Sequence, residues 1–314
     1  MKLLSIIVPV YNEQRTLTEL SAQIVAVMQA LADRYDYELI LIDDGSTDGS
    51  AEIIERLAQG NGKIFYQLFS RNFGKEIATS AGLQVARGQA ALMLDGDLQH
   101  PVELIPEFIA RWEAGAEVVV GVRKTNQGQG LIKRVGSWVF YKIMKHIAEI
   151  DVTPNATDYR LITRPVIDAF NRFTERNRMT RALIDWLGFK RDYIYFDASP
   201  RAGGAAGYSF KKLLHLATVS FVSLSLFPLK LAGYLGVIIM VVATLGGGFM
   251  ALEKYGLHDL WRFDFSGTGL LAMMILFLVG VMLACLGLIA LYIAHIHSEV
   301  LNRPLYVVRK NNRS

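Results

Sequence analysis

The chain has 314 residues, a formal net charge of +4 and 52% hydrophobic residues. It is too long for one minimal domain and more apolar than a typical soluble protein, which indicates a soluble part joined to a membrane part. Its one cysteine, Cys285, lies in an apolar run and excludes both an intrachain disulfide and a cysteine-based zinc site.

The first half of the chain alternates strand and helix patterns. Short apolar runs predict strands at residues 4–10, 37–43, 63–69, 90–95 and 116–122. The first run contains Pro9 and lacks a small-residue cleavage site, which favours a buried strand over a signal peptide. Helical periodicity separates the first four strands, as at Leu17, Leu20 and Ile24. This alternation predicts an α/β fold with a mostly parallel sheet and helices on both faces.

Polar clusters follow the first four predicted strands. In chain order they read PVYNE, DDGSTDGS, SRNFGKE and DGDLQH. Because parallel strands end at the same edge of a sheet, we expect the four clusters to line one crevice. Gly45 permits a tight turn and residues 46–48 can cap the next helix, which leaves Asp43 and Asp44 unexplained by local structure.

The DGDLQH cluster places Asp95 and Asp97 on either side of one glycine. Their carboxylates repel each other unless solvent separates them or a cation neutralises them, and carboxylate oxygens suit a hard divalent cation. Such a cation would bind a diphosphate. A polar turn is the alternative interpretation, and His100 is expected only to flank Pro101 at the start of the next helix.

Residues 131–147 combine an apolar stripe with basic neighbours such as Lys133 and Lys142. This pattern predicts an amphipathic helix, which either faces an anionic membrane surface or packs on the sheet. The stripe consists of Ile132, Val135, Val139, Ile143 and Ile147.

The last third of the chain is strongly apolar. Residues 231–252 and 268–294 contain no charged residue, and each is long enough to cross a bilayer as a helix. Two buried helices of a soluble core are the alternative. Residues 210–227 predict a helix at the membrane interface or a third apolar helix. Basic flanks before the first span and after the second predict that both termini are cytoplasmic.

Several stretches together carry a resemblance to a known family. They are SIIVPVYNE, LIDDGSTDGS, SRNFGKE, MLDGDLQHP, VVGVRK, NATDYRLI, the two-span tail and the closing NRPLYVVR. The chain resembles the family 2 glycosyltransferases of GT-A fold. It resembles more closely their membrane-anchored polyprenyl-phosphate branch, which includes dolichyl-phosphate mannose synthases and bacterial undecaprenyl-phosphate glucosyltransferases.

The resemblance implies a domain organisation. A cytoplasmic GT-A domain with a Rossmann-like, mostly parallel sheet would occupy residues 1–209, and a juxtamembrane interfacial helix residues 210–230. Two transmembrane helices would lie within residues 231–294, followed by a cytoplasmic tail at 295–314.

The resemblance also implies a metal and donor site. Asp95, Asp97 and Gln99 would hold Mg²⁺ or Mn²⁺ against the diphosphate of the donor. Asp44 would accept a hydrogen bond from the uracil N–H. The nucleotide-sugar site would comprise Pro9, Tyr11, Glu13, Asp43, Asp44, Arg71, Lys75 and Asp95.

The implied catalytic residues are Asp158, Asp97 and Arg160, with Asp158 near the transferred sugar and Arg160 near phosphate. A lipid phosphate is already ionised at neutral pH, so we favour positioning over general-base catalysis for Asp158. A surface carboxylate paired with Arg160 is the alternative.

The implied contacts to the acceptor phosphate are Arg123, Lys133, Ser137 and Arg201. One departure from the family pattern follows Arg201. Ala206 and Gly207 stand where the family often has a Ser/Thr–Lys pair, so a cationic contact is missing there.

The implied reaction is an inverting sugar transfer from UDP-glucose to undecaprenyl or a similar polyprenyl phosphate, at the cytoplasmic face of the cell membrane. Alternatives are a donor such as UDP-GlcNAc, GDP-mannose or UDP-aminoarabinose, a processive polysaccharide synthase, or a non-catalytic membrane scaffold. The chain lacks the QxxRW motif of processive synthases. No nucleic-acid partner is expected, and a homo-oligomer is an expectation by analogy alone.

Overall fold

The computed structural model describes residues 1–124, 155–176, 178–197, 245, 267–301 and 303–312. The described residues 1–197 and 303–312 belong to one compact unit, and residues 245 and 267–301 belong to a second. The amphipathic helix predicted at 131–147 and the interfacial helix predicted at 210–227 lie outside the described residues. So do Lys133, Ser137, Arg201 and, apart from residue 245, the first predicted span.

The first unit is built on a mixed eight-stranded sheet in the order β7-β5-β6-β4-β1-β2-β3-β8. The strands are β1 (Lys2–Val10), β2 (Tyr35–Asp43), β3 (Ile64–Phe69), β4 (Ala90–Met93), β5 (Val118–Arg123), β6 (Ala156–Thr163), β7 (Arg191–Phe196) and β8 (Val308–Asn311). All five predicted strands are present. Strands β6, β7 and β8 were not predicted.

The strands β1 to β4 are parallel to one another where they pair, as the alternating pattern predicts. The added strands break this regularity. Strand β6 runs antiparallel to β4 and β5, and β8 runs antiparallel to β3. The α/β sheet is therefore confirmed as mixed: β4, β1, β2 and β3 form its parallel centre, and β7 pairs in parallel with β5 at one edge.

Helices cover both faces of the sheet, as predicted. They are α1 (Leu17–Ala30), α2 (Ser50–Gly60), α3 (Lys75–Val85), α4 (Ile105–Glu113), α5 (Arg164–Phe170) and α6 (Thr180–Trp186). Side chains alternate along β1 because successive residues of a strand point to opposite faces. Leu4, Ile6 and Val8 join the core under α1, α2 and α4, whereas Ile7 joins the core under α3, α5 and α6.

The second unit contains one long helix, α7 (Gly267–Val300). It includes all of the second predicted span, so the helical conformation predicted for that stretch is confirmed. Over the side chains that the structure describes, no helix is identified as long and apolar enough to span a membrane. The two predicted transmembrane helices are therefore not confirmed.

The chain returns to the sheet of the first unit near its C-terminus. Strand β8 pairs with β3, and the Ser70 N–H donates to the Val307 carbonyl oxygen at 3.0 Å. The Asn312 side chain accepts from the Tyr66 N–H at 2.8 Å and donates to the Ile64 carbonyl at 3.0 Å. The ring of Tyr306 stacks on Phe69 with centroids 4.8 Å apart. Residues 303–312 thus complete the edge of the sheet beside β3.

Candidate active site

The polar clusters after β1 and β2 are joined by hydrogen bonds. The Asn12 N–H donates to Ser46 Oγ at 2.9 Å, and the Glu13 N–H donates to Ser50 Oγ at 3.0 Å. The Thr47 N–H donates back to Asn12 Oδ1 at 2.9 Å. The predicted convergence of these two clusters is therefore a direct contact between their loops.

The carboxylate of Asp44 connects the cluster after β2 to the cluster after β3. It accepts from the Phe73 N–H at 2.7 Å and from the Gly74 N–H at 2.9 Å. Asp43 turns back to its own loop, where it accepts from the Ser46 N–H at 3.2 Å. Both side chains are buried, and burial raises the pKa of each carboxyl. The contact of Asp44 with uracil stays a prediction. Its hydrogen bonds to Phe73 and Gly74 hold the loop after β3 in place.

The close approach of these loops also requires Gly45. Its φ is +70°, and a Cβ at this position would collide with the backbone of Arg71. Only glycine adopts such a backbone conformation without strain while leaving room for a neighbouring main chain. Gly45 therefore permits the contact between the DDGS and SRNFGK stretches.

The strand register brings Asp95 and Asp158 together. Met93 at the end of β4 pairs with Arg160 of the antiparallel β6, so two residues further along Asp95 faces Asp158. The ammonium of Lys75, at the start of α3, lies between the two carboxylates. Its Nζ is 2.6 Å from Asp95 Oδ1 and 2.6 Å from Asp158 Oδ2.

The electrostatics of this group favour the charged forms of Lys75 and Asp158. Desolvation disfavours the ammonium, but attraction by Asp95 and Asp158 outweighs it and raises the pKa of Lys75. Desolvation also disfavours the carboxylate of Asp158, yet the charge of Lys75 lowers the pKa of Asp158 overall. Lys75 and Asp158 therefore form a charged pair at neutral pH, with Asp95 as the second carboxylate in contact with the ammonium.

A pocket lies against this charged group. Its polar lining includes Lys75, Glu76, Asp95, Asp158 and Arg181. Glu76 accepts from the Thr180 N–H at 2.8 Å, and burial raises the pKa of its carboxyl. This contact ties the start of α6 to α3 and closes one side of the pocket. Pro9 also lines the pocket, as predicted for the donor site.

The DGDLQ stretch forms a tight loop after β4. The Gln99 N–H donates to Asp97 Oδ1 at 3.1 Å, and Leu98 has a left-handed φ of 60°. Arg123 at the end of β5 donates to Gln99 Oε1 at 3.0 Å. Arg123 and Gln99 were predicted for acceptor and metal binding respectively, and the structure places them in contact.

His100 does more than flank Pro101, the role that the sequence led us to expect: it is part of the site. Its ring is buried, and Nδ1 accepts from the Asp95 N–H at 3.0 Å. It stacks on Tyr159 with centroids 4.9 Å apart and meets the edge of Phe196 at 5.9 Å. Burial lowers the pKa of His100, which keeps Nδ1 available as an acceptor. Its position directly after the acidic loop was the available signal.

Arg160 lies in a buried ion pair. Its Nη1 donates to Asp185 Oδ1 at 2.8 Å, and its Nε donates to the Thr157 carbonyl at 3.1 Å. Asp158 pairs with Lys75 instead, which differs from the alternative of an Asp158–Arg160 surface pair. The contact of Arg160 with phosphate stays a prediction.

The remaining predicted donor residues border the same edge of the sheet. Tyr11 is exposed, and Glu13 Oε2 accepts from the Thr16 hydroxyl at 3.3 Å. The Arg71 guanidinium lies over the Phe73 ring, 4.1 Å from its centroid. These side chains are placed where a donor could reach them, and their roles stay predictions.

The donor atoms of the acidic loop suit a hard cation in kind. Asp95, Asp97 and Gln99 offer carboxylate and amide oxygens, which Mg²⁺ and Mn²⁺ accept. Among the described residues, no group of three His, Cys, Asp or Glu side chains converges as a metal cage. The loop therefore fits a cation that is held by one or two carboxylates and completed by phosphate oxygens and water.

The acidic side chains lie at the ends of the parallel strands, where ligands bind in open α/β sheets. The chain belongs to Glycosyl transferase family 2, whose model matches residues 5–171. This finding confirms the family that the sequence motifs indicated.

Two relatives are similar over nearly the whole chain. An uncharacterized glycosyltransferase of Synechocystis is 38% identical over 97% of this chain and 94% of its own length. A prophage-derived bactoprenol glucosyl transferase of Shigella flexneri is 34% identical over 99% of this chain and 98% of its own. The names of such relatives support the polyprenyl-phosphate branch of the family.

Among solved structures, the chain is similar to glucosyl-3-phosphoglycerate synthase from Mycobacterium tuberculosis in complex with Mn²⁺, UDP-glucose and phosphoglyceric acid. The identity is 18%, the TM-score is 0.47, and the match covers 69% of this chain and 76% of the other.

Proposed function

We propose that this glycosyltransferase transfers glucose from UDP-glucose to undecaprenyl phosphate or a similar polyprenyl phosphate. One observation carries the proposal. Asp95 and Asp158 come from separate segments and face one ammonium at the end of the parallel strands. This geometry suits a donor whose diphosphate lies at the acidic loop while its sugar lies near Asp158. The similarity to bactoprenol glucosyl transferases supports the same acceptor class.

The reaction is a single displacement at the anomeric carbon. An ionised oxygen of the lipid phosphate attacks that carbon as the bond to the UDP oxygen breaks, which inverts the configuration. No proton has to leave the nucleophile, so Asp158 acts by orienting the sugar rather than as an obligatory base. Arg71 and Lys75 would supply positive charge beside the diphosphate, and fixed positive charge stabilises a departing phosphate.

The divalent cation belongs to the proposal as well. Asp95, Asp97 and Gln99 would hold Mg²⁺ or Mn²⁺, which neutralises charge developing on the leaving diphosphate. Arg123 would then have two roles. It donates a hydrogen bond to Gln99, which orients a metal ligand, and it would contact the acceptor phosphate.

We also place the reaction at the cytoplasmic face of the cell membrane. The support is the two uncharged stretches 231–252 and 268–294 with their basic flanks, together with the lipid named in the relatives. Anchoring would hold the first unit beside its lipid acceptor and so reduce the cost of encounter. A homo-oligomer stays an expectation by analogy.

Transfer from a different nucleotide sugar to the same acceptor is the nearest alternative. Membranes containing the protein can be given labelled UDP-glucose, UDP-GlcNAc, GDP-mannose or UDP-aminoarabinose, and the lipids then extracted. We expect label from UDP-glucose in the lipid phase, lost in Asp97→Ala and retained in Glu103→Ala, an exposed acidic control nearby. If no nucleotide sugar labels a lipid, and membranes with Asp97→Ala give the same lipid label as those with the parent protein, the proposal is wrong.

A further inference from the structure

We propose that Lys75 is the resident counter-cation of the donor site, and that it exchanges partners during donor binding. Before binding, its ammonium holds Asp95 and Asp158. When a divalent cation and the nucleotide diphosphate arrive, the ammonium moves to the diphosphate and releases both carboxylates. This inference rests on the proposed function and adds that Lys75 contacts the two carboxylates first and the diphosphate afterwards.

The contacts of Lys75 are the first support. Its Nζ is 2.6 Å from one oxygen of each carboxylate. Within the part of the chain that the structure describes, Lys75 is the ion-pair partner that both Asp95 and Asp158 share. The two carboxylates were predicted for different tasks, metal binding and sugar positioning. The ammonium of Lys75 therefore contacts both the carboxylate predicted to bind the metal and the carboxylate predicted to position the sugar.

The second support is the contrast with the other ion pair of this region. The side chains of Arg160 and Asp185 are 2% and 6% exposed, and Arg160 also donates to main-chain carbonyls. That pair is a rigid structural link. The Lys75 side chain is 43% exposed. A partly exposed, flexible four-carbon stem lets the ammonium exchange partners more readily than the buried, forked guanidinium of Arg160 could.

The position of Lys75 in the fold is the third support. It is the first residue of α3 and follows Gly74, whose amide is bound by Asp44. The segment that precedes it also carries Arg71, so two cations flank the strand end where the diphosphate is proposed to lie. The four-carbon stem of Lys75 is flexible, so the proposed exchange requires a change in its side-chain torsions and no movement of the helix.

Binding of Mn²⁺ to the full-length protein, measured by the electron paramagnetic resonance of free Mn²⁺, tests the exchange. Without UDP, Lys75→Met and Lys75→Gln should bind Mn²⁺ about tenfold more tightly than the parent. In both variants the ammonium that competes with Mn²⁺ for the carboxylate of Asp95 is absent. Lys63→Met is the matched control, since Lys63 also contacts a carboxylate at 2.6 Å but lies at the other end of the sheet. It should leave Mn²⁺ binding unchanged.

The second arm measures UDP binding in the presence of Mn²⁺. Both Lys75 variants should bind UDP about tenfold more weakly than the parent, because the ammonium no longer reaches the diphosphate. The inference is overturned if neither variant binds Mn²⁺ more tightly without UDP, or if both bind UDP as the parent does.

Glucosyl transfer by the parent protein separates this inference from the proposed function. Tighter Mn²⁺ binding by the variants with no transfer by the parent would refute only the function. Transfer by the parent without a change in Mn²⁺ binding would refute only the exchange.

Discussion

At the scale of single residues, the imidazole of His100 connects the acidic loop to an aromatic wall. It accepts the N–H of Asp95 and stacks on Tyr159. In His100→Leu the acceptor is lost, and we expect UDP-glucose binding with Mn²⁺ to weaken about tenfold or more, as for other groups that orient a metal ligand. In His100→Asn, the amide oxygen stands near the position of Nδ1 and should restore most of the affinity.

Titration calorimetry measures both affinities. Equal weakening in His100→Leu and His100→Asn would mean that ring packing, rather than the hydrogen bond to Asp95, is what the loop requires.

The buried pair of Arg160 and Asp185 makes a prediction about stability. Asp185→Ala leaves a buried guanidinium without its carboxylate, which lowers the free energy of unfolding by about 3–5 kcal/mol. Asp168→Ala is the control, because Asp168 pairs with Arg164 in an exposed position. The control should cost about 0–1 kcal/mol. Urea unfolding followed by circular dichroism compares the two, and similar costs would contradict the structural role of the buried pair.

Sequence alone could predict that Asp44 and Asp95 lie at one edge of the sheet, but not what they contact. Asp44 and Asp95 follow parallel strands, and strands of that kind end at a common edge. The contact of Lys75 with Asp158 depends on an antiparallel pairing of β4 with β6 that no local pattern encodes. The same holds for His100, whose role follows from the packing of Tyr159 and Phe196 around it.

At the scale of elements, the added strand β8 supports the edge strand β3. Asn312 makes two hydrogen bonds with the β3 backbone. Asn312→Ala should lower stability by about 1–2 kcal/mol and speed amide exchange at Tyr66, because two main-chain groups lose their partner. Asn311→Ala is the control at the neighbouring position, the last residue of β8. Hydrogen exchange followed by mass spectrometry reports on residues 64–70.

If Asn311→Ala and Asn312→Ala exchange alike, the two side-chain bonds do not hold β8 on the sheet. The comparison also tests the loop after β3, since Ser70 is bonded to Val307 and the loop leads to Arg71 and Lys75.

The predicted elements were those with a strong local signal. Strands β1 to β5 are buried, so they consist mostly of apolar residues, and these apolar runs can be recognised in the sequence. Strand β8 reads VRKN and is mostly exposed, so its strand conformation comes from pairing with β3 rather than from its own pattern. Strand β6 carries the TDYRL motif. Its polar residues indicated a functional site, and they interrupt the apolar run that would have predicted a strand.

At the scale of the whole molecule, the uneven distribution of charge predicted two parts. Charged residues become sparse after residue 212. The described residues form two compact units, and the predicted domain boundaries stay a prediction. Sequence could not predict that residues 303–312 rejoin the first unit, because that return depends on the pairing of β8 with β3, far apart in the chain. The family match at residues 5–171 lies wholly within the first part.

The central claim is glucosyl transfer from UDP-glucose to a polyprenyl phosphate. Purified full-length protein in phospholipid vesicles that contain undecaprenyl phosphate, supplied with labelled UDP-glucose and Mg²⁺, tests it most directly. We expect labelled glucose in the lipid phase and one UDP released per glucose transferred, with both lost in Asp158→Ala. Release of UDP without labelled lipid, or equal labelling by Asp158→Ala, would contradict it.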